Sequence, residues 1–530
     1  MNPNPIISQL SHQIALVILA LVISLTCATA RAASIQATPA PTASADPDFA
    51  AIDTYVESQM RDLRIPGLAL GIVHGDQIVY LKGYGIADPA GQAITPQTPF
   101  PIASVSKTFT ALAVMQLVEA GKIDLDAPVQ RYLPWWHVAD AQTSAQITVH
   151  QLLMMNSGLT DALDKKHWAD RDTSKGALEH LVRDLSTDEL DRPVGASFEY
   201  SNPGYWTLGL IVQAVSGQSF ETYVQEHIFA PLEMHQSFTS RAEAEPYGLA
   251  TGHQYMFGYP YPTHFAVPRG LLPASGIIAS AEDMAHFLIA NLNGGHYSQA
   301  AILSPDGIAA MQQPALARGI PHTFWGMGWE IGPINGIPSV YRWGDGPDRH
   351  AKIVLIPESG WGVVVLENAY PLLARILGDR RINQTAEGVA SLLLGMQPPK
   401  AKTGRSVWIV YGFVLAFVTA EFFGLRRSVL ALRRRRAHPE RRPRGWWEMV
   451  WQNLLPFAGY LALGLALLVG LPRLVFGSLA NLLIALPDIG YIFLVSGVVA
   501  IGWSFLWLTL VFFPIRGINP SLTSEERARS

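Results

Sequence analysis

Ser104 and Lys107 stand three residues apart in the stretch Ala103-Ser104-Val105-Ser106-Lys107. On a helix that spacing puts the hydroxyl and the ammonium on one face, one turn apart, so the amine can take the hydroxyl proton. Serine is a poor nucleophile at its own pKa and lysine a poor base at about 10.4, so the pair works only where burial or neighbouring cations depress the lysine. A four-residue pattern with two fixed positions carries little weight by itself and needs partners. The first partner is Tyr200-Ser201-Asn202, the only Tyr-x-Asn of the chain, preceded by a turn-like Pro193-Val194-Gly195 and followed by an amphipathic helix from about Tyr205. Tyr200, as phenol or phenolate, can help deprotonate Ser104 and then protonate a leaving group, while the Asn202 amide can hold Lys107 and a substrate carbonyl.

Other chemistries lack their residues. His150, His253, His264 and His350 are scattered, with no His-Glu-x-x-His or comparable metal spacing, so no metal site is expected. There is no Gly-x-Ser-x-Gly elbow. Cys27, the sole cysteine, lies in the N-terminal apolar run, which excludes internal disulfides, a cysteine zinc site and a cysteine nucleophile in the body of the chain.

The elements that must position these residues read as mixed α and β. Apolar segments Leu68 to Val73 and Ile78 to Leu81 flank Gly75-Asp76, the signature of a hairpin. Ile353 to Ile356 and Val363 to Leu366 flank Pro357-Glu358-Ser359-Gly360 in the same way. Strands at both ends with helices between predict one sheet built from distant segments. From Lys107 to Ala120, Phe109, Leu112, Met115 and Val118 recur at helical spacing and Gly121 stops the run, so a helix carries the first motif. The aromatic segment His253 to Phe265, with Tyr255, Phe257, Tyr259 and Tyr261, either packs as a loop or walls a cleft.

With 530 residues, 49% hydrophobic and only 15% charged, part of the chain is expected to be solvated by lipid. The net charge of -4 is small and points to no acidic or basic partner. Ile14 to Leu25 is apolar and is followed by Ala28-Thr29-Ala30 and Ala30-Arg31-Ala32, patterns that a signal peptidase cuts; residues 1–32 read as a signal peptide or an uncleaved signal anchor. Residues 33–47 read as a linker, 48–397 as the catalytic domain and 398–405 as a second linker. Val407 to Phe423, Leu454 to Leu471 and Ile489 to Phe513 are each long enough to cross a bilayer, giving spans at 406–424, 453–472 and 489–513. Leu474 to Leu486 reaches only about 20 Å as a helix, which places 473–488 at the interface rather than as a fourth span. The loop 425–452 holds Arg426, Arg427, Arg433, Arg434, Arg435, Arg436, Arg441, Arg442 and Arg444. An excess of arginine marks the cytoplasmic side, so the tail 514–530 is also cytoplasmic and the large domain exocytoplasmic. The juxtamembrane position explains the arginines without nucleic acid.

At these points the sequence resembles the β-lactamase-related serine hydrolases, the family of class C β-lactamases, D,D-carboxypeptidases, D-aminopeptidases and related esterases. The likeness runs from about Ile65 to Ala369 and includes Ile65-Pro66-Gly67-Leu68, Lys82-Gly83-Tyr84-Gly85, Gly121-Lys122-Ile123-Asp124-Leu125-Asp126 and Asn156-Ser157-Gly158-Leu159. Further on it includes Tyr200-Ser201-Asn202-Pro203-Gly204-Tyr205, Ser280-Ala281-Glu282-Asp283-Met284 and Gly328-Trp329-Glu330. The resemblance implies an α/β (α+β), penicillin-recognising fold: an antiparallel sheet flanked by helices, an all-helical subdomain beside it, and the site between them. It implies Ser104, Lys107 and Tyr200 as catalytic residues, Asn202 as a binding residue, and no metal or organic cofactor.

The family's third motif, a Lys or His followed by a small residue and Gly, falls on Arg342-Trp343-Gly344. Arginine keeps the positive charge and can grip a carboxylate with two prongs, but it does not exchange protons near neutral pH. Trp343 stands where Ser or Thr is usual and is expected to narrow the cleft. Another register would put Asp345 at the cation's place and reverse the local charge. The resemblance also implies an oxyanion hole formed by the backbone N–H groups of Ser104 and Asp345. The expected partners are a small-molecule or peptide substrate, such as a peptidoglycan-derived D-amino-acid peptide, an ester or a β-lactam, together with membrane lipid. The reading from another class is a non-catalytic receptor that binds a cell-wall fragment and signals through its spans.

Overall fold

The computed structural model of the chain describes residues 47–160, 172–265, 268–400, 405–437 and 445–512. The signal or anchor with Cys27, most of the first linker, Arg441, Arg442, Arg444 and the tail lie outside these residues. The described residues up to 400 form one compact unit and those from 405 another.

The first unit is built on an eight-stranded sheet. Its strands are β1 (Gly67–His74), β2 (Gln77–Gly85), β3 (Leu316–Ala317), β4 (Phe324–Trp325), β5 (Glu330–Ile334), β6 (Ile337–Gly346), β7 (Arg349–Ile356) and β8 (Trp361–Glu367). The order is β2-β1-β8-β7-β6-β5-β4-β3, and neighbours throughout are antiparallel. Both expected hairpins are present: Gly75, at φ 58, turns β1 into β2, and Gly360, at φ 69, follows the short turn between β7 and β8. Chain-distant β1 and β8 pair directly, from Leu68 opposite Glu367 to His74 opposite Trp361.

Why the central strands read as unbroken apolar runs is clear from their two faces. Leu68, Leu70, Ile72, Val354, Ile356, Val363 and Val365 point into a core shared with Ile52 and Val56 of helix α1 (Phe49–Leu63). Ala69, Val73, Ile353, Leu355, Val364 and Leu366 alternate with them and point into the other, larger core. A strand buried on both faces loses the polar half of its period-two pattern. The larger core joins the sheet to helix α2 (Ser106–Glu119) and to a mainly helical region around α3 (Asn202–Ser216). Helix α2 is one residue longer at its start than the spacing predicted and is buried over almost its whole surface, because it passes through the middle of that core.

The aromatic segment after His253 forms a hairpin of its own, Gly252–Met256 against Tyr259–Thr263. Tyr255 donates to the Leu63 carbonyl at 2.6 Å, and Arg64 lies 4.4 Å from the centre of the Tyr259 ring. These contacts are those of loop packing against the end of α1.

In the second unit three helices are long and apolar enough to cross a membrane: Ser406–Arg434, Trp446–Phe476 and Pro487–Val511. The first belongs to helix Arg405–Ala437, which continues through Arg426, Arg427, Arg433 and Arg434 instead of ending before them as a loop. The short apolar piece folds as Leu479–Ala485, about 10 Å of helix. Gly464 and Gly497 let two of the long helices meet closely, since a Cβ on Gly464 would lie 2.8 Å from the Gly497 carbonyl.

Candidate active site

The serine sits where the backbone is strained. Ala103 has φ 45, a left-handed conformation that costs a non-glycine residue about 1–3 kcal/mol and persists only when its surroundings enforce it. Here the enforcement is visible. The Ala103 carbonyl accepts from Ser106 Oγ at 2.7 Å, and that same Oγ accepts from Ile277 N–H at 3.0 Å. Ser106, a residue to which the motif assigns no part, thus fastens the turn Ala103–Val105 that opens into α2 and presents Ser104.

Lys107, one turn along, has no exposed surface. Its Nζ lies 3.3 Å from Ser104 Oγ, 2.5 Å from Asn202 Oδ1 and 2.8 Å from the Ala274 carbonyl. Asn202 is there because α3 starts three residues earlier than its hydrophobic pattern suggested. Ser201 caps it by accepting from Gly204 N–H at 3.0 Å, and Pro203 occupies the first turn, where a missing N–H does no harm. The cap also sets Tyr200 just outside the helix, where its hydroxyl donates to Ser104 Oγ at 2.8 Å.

On the opposite side, Arg342 of β6 donates from NH2 to Tyr200 OH at 2.7 Å, from Nε to the Ser104 carbonyl at 3.2 Å and from NH1 to Glu330 Oε1 at 2.9 Å. Each of its three nitrogens already donates within the protein, and with the side chain only 2% exposed its two remaining N–H bonds are shut off from a substrate carboxylate. Its charge is spent on the tyrosine oxygen and the nucleophile's turn. Glu330 is also ion-paired with Arg318, so one carboxylate joins two arginines. Burial and the nearby Arg342 charge pull Arg318 down to about 10, which leaves it protonated at neutral pH.

Gly344 needs its lack of a side chain: a Cβ there would lie 2.3 Å from the Ile102 carbonyl and 2.7 Å from the Ser104 amide nitrogen. Arg342 and Gly344 face Ser104, and Trp343 between them faces the other way, stacked on Tyr341 at 6.0 Å and packed against the α1 side of the sheet. The indole therefore does not close on the serine. Asp345 turns its carboxylate away as well, to His350 Nδ1 and Tyr370 OH, each at 2.7 Å. Burial alone would raise that carboxyl, but the hydrogen bond and charge of His350, with the Tyr370 hydroxyl, hold it below the usual range. The residue of β6 that meets Tyr200 is Arg342, not Asp345.

Ser104, Lys107, Tyr200, Asn202, Arg342 and Gly344 thus converge, while Trp343 and the Asp345 side chain flank them. Sequence reasoning missed Ser106, the Ala274 carbonyl, Arg318 and the structural use of Glu330.

The family model described as Beta-lactamase matches residues 52–387, and the chain belongs to that family. Among curated relatives it is similar to Protein flp of Staphylococcus aureus strain MW2, 26% identical over 72% of this chain and 76% of the relative. It is also similar to Penicillin-binding protein 4 of Amycolatopsis lactamdurans, 29% identical over 57% of this chain and 81% of the relative. Among solved structures, the octameric penicillin-binding protein homologue from Pyrococcus abyssi matches with a TM-score of 0.57 and 27% identity, covering 67% of this chain and 79% of that one.

Proposed function

We propose that the chain is a membrane-anchored serine hydrolase that works through an acyl-enzyme at Ser104 on amide or ester bonds. The observation that carries the reading is that Ser104 Oγ lies within reach of both Lys107 Nζ and Tyr200 OH. In the neutral form Lys107 keeps two donors for Asn202 and Ala274 and aims its lone pair at the serine proton. Oγ then attacks the carbonyl carbon. The developing oxyanion is received by the N–H groups of Ser104 and Asp345, which the close approach of Gly344 to the Ser104 amide brings near each other. Tyr200 protonates the leaving group, and the Arg342 guanidinium steadies the charge left on its oxygen. Water releases the acyl group by the reverse route.

D-amino-acid peptides, esters and β-lactams share this first step, and the names of the relatives favour penicillin-type ligands. In this reading the three apolar helices hold the enzyme in a membrane, and the arginines in the last turns of the first helix and just after it favour an exocytoplasmic catalytic unit. Membranes carrying the wild type are expected to label with a fluorescent penicillin or a fluorophosphonate, and membranes carrying Ser104→Ala are not. No Ser104-dependent label with either probe would overturn the enzyme reading in favour of a non-catalytic receptor.

A further inference from the structure

Acyl transfer as described uses Arg342 and leaves Arg318 without a task. Arg318 follows edge strand β3 and reaches Glu330 with NH1 alone. Its Nε is buried with no hydrogen-bond partner among the described residues. Its side chain is 12% exposed where that of Arg342 is 2% and that of Glu330 is 0%. One carboxylate therefore faces two guanidiniums, and a positive charge stays uncompensated at the more open of the two. A largely buried cation that shares its one carboxylate with a second cation is costly to hold, which marks it as a candidate for a ligand that completes it.

The place of the charge is informative. The Arg318 guanidinium carbon is 4.9 Å from the centre of the Phe198 ring and 5.3 Å from that of Trp343. Phe198 lies two residues before Tyr200, and Trp343 lies between Arg342 and Gly344. Arg318 is also 5.8 Å from the centre of the Trp325 ring, which meets the Tyr200 ring edge-on at 6.4 Å, and it shares Glu330 with Arg342, so it stands beside the Tyr200 wall of the same site. Aromatic faces hold a guanidinium plane in place while its N–H edge stays available for an anion.

We propose that Arg318 is the residue that binds an anionic group of the substrate, a carboxylate, in place of the buried Arg342. The assignment rests on the acyl-transfer reading, and the two can fail separately.

The test uses the full chain in detergent micelles with Ser104→Ala, so that ligand binds without turnover, and calorimetry with an acyl-D-alanyl-D-alanine and with its C-terminal carboxamide. The carboxylate is expected to bind about 30-fold more tightly than the amide, and Arg318→Gln to cut that ratio to about threefold or less. Arg318→Lys, which keeps the charge and loses the fork, gives an intermediate ratio. A merely structural Arg318 would weaken both ligands alike and leave the ratio unmoved. The proposal is overturned if the ratio survives in Arg318→Gln, or if the parent shows no preference for the carboxylate. Where Arg318→Gln loses its thermal transition, Arg318→Lys decides, an unchanged ratio counting against the assignment. Fluorophosphonate labelling of the wild type is run alongside. Label without a carboxylate preference sinks Arg318 alone, and a preference without label sinks the acyl-enzyme and keeps the anion site.

Discussion

Glu330 and Glu367 sit in the same sheet, and neither exposes any surface. What surrounds them differs completely. Glu330 spans Arg318 and Arg342, two charges that more than offset its own. Glu367 has one hydrogen bond, from Thr385 Oγ1 at 3.1 Å, and its Oε2 has no partner among the described residues. Directly opposite it on β7, His350 has an unpartnered Nε2. Lys352, two residues on, is turned to Glu387 at 2.5 Å. Burial accordingly drives the Glu367 carboxyl up to about 8, the Thr385 bond and Lys352 opposing and Asp345 reinforcing the shift. Equal burial therefore yields an ionised carboxylate in one region and a protonated acid in the other, with the nearest cations deciding. At the active site the ionised one is useful, because it fixes Arg342 where Tyr200 needs it.

Removing the charge at Glu330 is the strongest way to break this comparison. Glu330→Gln leaves two guanidiniums without a counter-ion, and the loss of one partner from such a buried pair costs about 3–5 kcal/mol. The full-length protein in detergent is expected to melt well below the wild type, and any folded fraction to turn over more slowly, since the amide offers one neutral acceptor oxygen to two guanidiniums and holds Arg342 less firmly. A melting point within a degree of the wild type would show that Glu330 does not hold the arginines.

At Glu367 the same substitution is expected to do the reverse, in a pH-dependent way. Its folded pKa of about 8 lies above the ordinary 4.5. Between those values the folded state holds a proton that the unfolded state has lost. Stability from this group is therefore complete below about pH 4.5 and declines as pH rises toward 8, by at most about 1.4 kcal/mol per pH unit. Gln has no such dependence. The melting point of Glu367→Gln relative to the wild type should climb from pH 5 to pH 8 and then level off. A difference that stays flat across that range would mean that Glu367 is ionised throughout.

Much of this was legible in the sequence, and the limits are physical. Ser104, Lys107, Tyr200 and Asn202 were readable because each belongs to a short local pattern. The start of α3 was also written there, in the Ser201 cap and Pro203, but hydrophobic spacing pointed to Tyr205 instead. Strand alternation also held the direction of Trp343, away from the serine once Arg342 and Gly344 face it, yet its bulk led to the expectation that it narrows the cleft. The use of Arg342 was not readable: sequence shows a charge, not whether it is buried with each of its nitrogens already donating within the protein. Arg318 was out of reach because β3 and β4 are two residues each, too short to show any period, and only their pairing beside β5 brings Arg318 to Glu330. The apolar spans were plain from length and hydropathy, whereas the continuation of the first helix through its arginines was not.

The smallest effect comes from a carboxylate outside the comparison. Glu57 pairs with Arg61 one turn along α1 at 3.7 Å, with side chains 54% and 67% exposed. Water already solvates both charges, so little is gained by their contact, and holding two long side chains together has an entropic cost. Glu57→Gln is expected to change stability by less than about 0.5 kcal/mol, and that change to shrink further in high salt, where the Debye length falls to about 3 Å at 1 M. The three glutamates then form a series in which the same change of one oxygen for one nitrogen destabilises strongly, stabilises with rising pH, or does almost nothing. A loss at Glu57 comparable to that at Glu330 would show that position in the fold, rather than burial with its counter-charges, governs what a glutamate contributes here.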